Sequence, residues 1–162
     1  MNSPIPPLAR RLALSLLTLP MLATAAEVVC PSMADVVQVA NCPSEEELAF
    51  TYTGYCSDNQ RIYGKGPDVC KDYQLYRKLK NVVLWETRDG GFHAYLSCDL
   101  PAETLKQAKV AQITVGKDGK MTRVACSYGK DIVFTYRSHE TCRAEAVAAC
   151  ASDPAACRAS CE

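Results

Sequence analysis

The chain carries no net charge, only two histidines, few large rings other than tyrosine, and no long apolar run beyond its first 26 residues. Eighteen Lys plus Arg stand against 18 Asp plus Glu. A nucleic-acid binder neutralises phosphates with a surplus of basic side chains, so this balance argues against recognition of DNA or RNA through a broad basic face. With 48% hydrophobic residues the chain is equally far from a disordered composition. No Gly-x-Ser-x-Gly occurs, the turn that exposes a nucleophilic serine. Gly64 and Gly66 are followed by Pro67 and do not open the strand-to-helix turn that cradles a phosphate. Cys-x-x-Cys is absent as well, which argues against a zinc knuckle and a thiol oxidoreductase. Glu45, Glu46 and Glu47 read as a solvated run rather than as two carboxyls facing across a cleft. The expectation is a protein without catalysis, metal or cofactor. The enzymatic alternative is a small secreted hydrolase or nuclease using His93 and His139, one imidazole as base and the other as acid.

What is present begins with a leader. Arg10 and Arg11 precede an apolar run from Leu12 to Ala26, broken by Pro20 and ending in Ala23-Thr24-Ala25-Ala26. A basic start, an apolar middle and small residues at the cut are the pattern of a secretory signal, expected over residues 1–25. The run is shorter than the roughly 20 residues a membrane span needs, so no stable membrane insertion is expected. Val29 before Cys30 does not fit a lipid-anchoring site. Both arginines leave with the signal, so 16 basic side chains face 18 acidic ones and the mature chain, residues 26–162, has a charge of −2.

All ten cysteines, Cys30, Cys42, Cys56, Cys70, Cys98, Cys126, Cys142, Cys150, Cys157 and Cys161, lie in that mature part. In an oxidising compartment they imply up to five disulfides within one periplasmic domain. Their pairing is open, because ten cysteines allow several hundred arrangements.

The fold class expected is α+β: an antiparallel β-meander with short helices and a disulfide-stapled C-terminal helical tail. Residues 48–56 alternate as a strand does, 57–67 carry loop residues, and 68–80 show helical spacing with Asp68 as a cap. Strands over 81–87 and 92–99 flank Arg88-Asp89-Gly90-Gly91, and strands over 110–115 and 121–127 flank a turn at 116–120. A turn at 128–130 leads to a strand over 132–136. A short helix is expected within 101–109, and helix again over 140–151, with Asp153-Pro154 starting a last turn.

Eight tyrosines supply large amphipathic side chains suited to contact surfaces. Tyr52, Trp85, Tyr95 and Tyr136 read as core. Tyr55, Tyr63, Tyr73 and Tyr76, with Asp58, Asp68 and Asp72 among them, read as an acidic and aromatic partner-binding protrusion. Arg88 and Asp89 at a hairpin tip are a second contact.

Cys30-Pro31-Ser32 after the leader, Trp85 before Gly90-Gly91, Tyr95-Leu96-Ser97-Cys98, Cys126-Ser127-Tyr128 and Cys142 together carry a resemblance. The chain resembles small cysteine-containing bacterial periplasmic proteins, a grouping that includes immunity proteins against type VI secretion toxins. Cys126-Ser127-Tyr128-Gly129, followed by Val133 and Tyr136, is also similar to periplasmic lysozyme inhibitors. The resemblance implies a cognate protein toxin as partner, an effector such as a lipase or peptidoglycan hydrolase, whose active site is blocked.

Overall fold

A computed structural model describes residues 25–64 and 68–162 of the chain. The expected signal therefore lies outside the described residues but for Ala25, as do Lys65, Gly66 and Pro67 of the expected loop. The architecture is α+β, with two antiparallel sheets, short helices and five disulfides.

The larger sheet grows from the hairpins. Strands β3 (Val82–Thr87) and β4 (His93–Ser97) are joined by Arg88-Asp89-Gly90-Gly91, where Gly90 takes a φ of 70°. The Gly91 amide donates to the Asp89 carboxylate at 3.1 Å, and the Phe92 amide donates to the Thr87 hydroxyl at 3.0 Å. Strands β5 (Gln112–Asp118) and β6 (Met121–Ser127) form the second hairpin, and β7 (Val133–Ser138) pairs with β6. Here β5 runs three residues further than its expected end at 115. Asp118 pairs with Met121, so the turn is only Gly119-Lys120, with a φ of 62° at Gly119. A positive φ at the first central position is what a type II′ turn requires.

The order of the sheet is not that of a simple meander. A short strand β2 (Val36–Gln38) edges β3, and β4 pairs with β7 rather than β5, giving β2-β3-β4-β7-β6-β5. The two halves meet through the pair His93 and Thr135. The crossover from β4 contains a short helix, α4 in chain order (Ala102–Gln107), held by Lys106, whose ammonium donates to the carbonyls of Ala34 and Val36.

The second sheet comes from the two ends of the described chain: β1 (Ala26–Val29), β9 (Arg158–Cys161) and β8 (Cys142–Glu145), in the order β1-β9-β8. This replaces the expected helical tail. Alanine is the best helix former, but tertiary context overrides intrinsic propensity, and 142–145 alternates instead, with Cys142 buried and Arg143 and Glu145 exposed. Pairing with β9 and the Cys142–Cys161 disulfide override the local preference. Arg158 binds Glu27 of β1 at 3.0 Å and Glu145 of β8 at 3.4 Å, a charge ladder across all three strands. Between β8 and β9 only two 3₁₀ turns form, Val147–Ala149 and Pro154–Ala156, the latter started by the expected Asp153 cap.

The inner faces close on each other. Val83, Trp85, Leu96, Ile113, Val124 and Phe134 of the large sheet share one buried cluster with Val28, Ala159 and Cys161 of the small one. Burying such side chains contributes about 1.5–3 kcal/mol each. At its centre the buried Cys30, just after β1, is bonded to Cys126 of β6, so one covalent link joins the layers.

The remaining helices form an arm between β2 and β3: α1 (Glu45–Tyr55), α2 (Asn59–Tyr63) and α3 (Tyr73–Lys80). The expected strand over 48–56 is thus a helix. Ser44 and Glu47 form a reciprocal capping box, and three glutamates occupy the first turn, where the helix dipole favours them. The expected helix from Asp68 starts instead at Tyr73, capped by Asp72, after a 3₁₀ turn at Asp68–Cys70. Helix α2 stands where a loop was expected.

The sequence separations of the disulfides order their effect on stability. Cys30–Cys126 spans 96 residues and Cys150–Cys157 spans 7. Replacing the first pair by alanine is expected to lower unfolding free energy by about 4.7 kcal/mol and the second by about 2.5 kcal/mol, from loop entropy alone. Urea unfolding of the two double variants measures this, and equal losses would contradict it.

Candidate functional site

The arm has a small core of its own. Tyr76 and Leu48 are each only 2% exposed, and the Tyr76 ring centroid lies 5.2 Å from Tyr52 and 5.7 Å from Tyr55. Tyr52 also meets Tyr73 edge-on at 5.4 Å and donates its hydroxyl proton to the Cys70 carbonyl at 3.1 Å. Edge-on aromatic pairs contribute about 0.5–1.5 kcal/mol beyond burial. The Cys56–Cys70 disulfide closes this unit.

Its root is ionic and covalent. Arg77 donates to Glu45 at 2.6 Å and to both oxygens of Asp99 at 2.8 and 3.1 Å, while Asn81 donates to Asp99 at 3.0 Å. Beside them Cys42 is bonded to Cys98, whose amide donates to the Asn81 carbonyl at 3.0 Å. The Arg77 hydrogen bonds hold the Glu45 and Asp99 carboxyls below their ordinary values, and Tyr73 adds to the effect on Glu45. Loss of water, then the bond to Glu45, pushes the Tyr73 phenol up.

The residues expected to bind a partner are thus distributed differently. Tyr76 is a packing residue, because its ring is enclosed by α1. Tyr55 is half-buried, with the Arg61 guanidinium 3.9 Å and the Lys80 ammonium 5.3 Å from its ring centroid. Tyr63 is 82% exposed. Asp58 and Asp72 accept from the Gln60 and Gln74 amides, so both cap helices. Asp68 opens the 3₁₀ turn. Arg88 and Asp89 are exposed at the hairpin tip, with Asp89 held below its ordinary value by hydrogen bonds from Thr87 and Gly91. Of the rings expected in the core, Trp85 is buried, but Tyr95 is 69% exposed on the outer face of β4.

What distinguishes the arm is apolar exposure. Phe50 is 79% exposed, and Leu75 and Leu79 are also exposed. Phe50, Gly54, Tyr55, Tyr76, Leu48 and Lys80 are among the residues lining a shallow groove of about 620 Å³. Gly54 is the last residue but one of α1, and a Cβ there would meet nothing within 4 Å. Glycine in a helix interior costs about 1 kcal/mol relative to alanine, and neither backbone conformation nor packing calls for it here. It leaves the groove open. Reading 48–56 as a strand hid this arrangement, although Ser44-Glu45-Glu46-Glu47 was a legible helix start.

The two histidines are not gathered into one site. His93 lies at the seam of the large sheet, its Nε2 3.0 Å from Arg137, a group that only donates, and 3.4 Å from the Thr135 hydroxyl. His139 follows β7, beyond Ser138, roughly 13 Å of extended strand from Thr135. Among the described residues no three His, Cys, Asp or Glu side chains are grouped to hold a metal ion. Comparison of the chain with protein-family models, curated proteins and solved structures gives no match.

The lowered carboxyls at the root set a pH response. Their contribution is fully present above the ordinary values of 4.5 for Glu45 and 3.8 for Asp99, and is lost as pH falls through the lower folded values. Near-ultraviolet circular dichroism of the tyrosine cluster is expected to fall below pH 4 while the strand signal persists. Arg77→Met is expected to show the loosened arm already at pH 7, and an unchanged tyrosine signal down to pH 2 would contradict the assignment.

Proposed function

We propose that the protein is a non-catalytic binding partner of the immunity or inhibitor type, acting in the periplasm. Its partner is a protein toxin directed at the cell envelope, such as a lipase or peptidoglycan hydrolase, whose active site it blocks. The observation that carries this reading is the arm: a cross-linked, tyrosine-packed helical unit that offers Phe50 to solvent at an open apolar groove, with Leu75 and Leu79 exposed at a second depression and Tyr63 exposed on α2.

Several physical features support it. Five disulfides suit an oxidising compartment, where they form and persist. No helix among the described residues is long and apolar enough to cross a membrane. Binding energy concentrates in a few large apolar and aromatic side chains held rigidly before contact, and α1 and α3 hold theirs through the Tyr52, Tyr73 and Tyr76 contacts. The acidic side chains of the arm have a smaller part, because Asp58 and Asp72 cap helices and Glu45 pairs with Arg77. Recognition therefore rests mainly on apolar burial, with weak dependence on salt.

Co-expression with the product of the adjacent gene tests the proposal. A tight complex and protection of cells from that product in the periplasm are expected; no complex and no protection would overturn it. Phe50→Ala is expected to weaken the complex roughly 10- to 100-fold, as loss of a central aromatic contact does. Gly54→Ala is expected to raise stability by about 1 kcal/mol, whereas Gly54→Leu fills the groove and weakens binding. The double variant His93→Ala and His139→Ala is expected to protect fully, and loss of protection with the fold intact would revive an enzymatic role.

A further inference from the structure

We propose that the end of the β5–β6 hairpin is an oxyanion site, where Arg123 holds a carboxylate or phosphate group against β5. None of its residues belongs to the arm, and the inference does not rest on the toxin reading.

Three observations converge there. On the outer face of the large sheet Arg123 stands directly opposite Arg137 of β7. Like charges in directly opposed positions of an antiparallel pair repel, and only one of these two is compensated. Arg137 lies 3.5 Å from the Asp118 carboxylate and donates to His93. Arg123 is exposed and has no hydrogen bond, ion pair or ring contact among the described residues.

On its other side Arg123 faces Gly116 of β5. Glycine weakens a strand interior and marks places where a ligand or another backbone approaches closely. Gly116 has no positive φ, and a Cβ there would meet nothing within 4 Å. The fold thus has no need of glycine at this position, and any side chain would project beside the Arg123 fork.

That space is a cleft of about 330 Å³ lined by Thr114, Val115, Gly116, Lys117, Asp118 and Arg123. Asp118 is the one acidic group in the lining, and Arg137 engages it. The Lys117 ammonium donates to the Thr122 hydroxyl at 3.0 Å. This leaves the Arg123 guanidinium as the uncompensated donor, and its planar fork matches two oxygens of a carboxylate or phosphate in parallel hydrogen bonds. Thr114, two residues from Gly116 on the same face, supplies a hydroxyl at the end of the row.

Nitrogen-15 NMR titration of the oxidised protein with inorganic phosphate and with acetate, at ionic strength held constant with chloride, tests the site. Saturable shifts confined to residues 114–118 and 123 are expected with at least one of the two. A response to phosphate alone supports the site as one for phosphate esters, and a response to acetate alone supports one for carboxylates. Arg123→Gln is expected to lower affinity at least tenfold, with Arg123→Lys between it and the parent. Gly116→Thr is expected to keep or raise the melting temperature while lowering affinity to the same extent. Shifts that do not saturate, or affinity unchanged in Arg123→Gln, would overturn the assignment.

Discussion

The large sheet has one apolar face, and from the middle of the chain Leu105 of the short helix α4 joins its buried cluster. A sheet of this kind is stable only when that face is buried against a second layer. The cover is assembled from the two ends of the described chain, β1 from one and β8 and β9 from the other, and Cys30–Cys126 joins it to β6 within the buried cluster. This closure also accounts for the strand order, since the covering layer must be reached from both ends without disturbing the β5-β6-β7 ladder.

The parts legible in the sequence were those whose signal is local. The hairpins around Gly90 and Gly119 announce themselves through residues that tolerate positive φ and through alternation on either side. The Asp153-Pro154 start was legible for the same reason. Where two local signals competed, the weaker reading prevailed: Leu48, Phe50 and Tyr52 alternate by coincidence on a helix that Ser44 and Glu47 cap. The tail failed differently. Its alanines favour helix locally, while the pairing of 142–145 with 158–161 depends on residues distant in sequence. Disulfide connectivity was beyond any local signal. Tyr76 and Tyr95 exchanged their expected roles because burial depends on what covers a face, and neither the helical packing of the arm nor the sheet order was foreseen.

At two places the molecule forgoes stability it could have had. Gly54 stands in the last turn of a helix and Gly116 within a strand, and neither occupies a conformation or a contact that another residue would spoil. Each sits where a side chain would occupy open surface beside an exposed feature, the Phe50 groove in one case and the Arg123 fork in the other. Departures from local preference of this kind gather at functional surfaces. The two surfaces differ in chemistry, one apolar and one cationic, so they suit different ligands or different parts of one.

The pairing of β1 with β9 places Ala26 opposite Cys161. Strand β9 is the central strand of the small sheet, so β1 and β8 have no hydrogen-bonding partner until residues 158–161 are available. The covering layer therefore forms only once residues 158–161 can reach strands that begin at Ala26 and Cys142. Until then the apolar face of the large sheet and the thiol of Cys30 stay accessible to foldases and proteases.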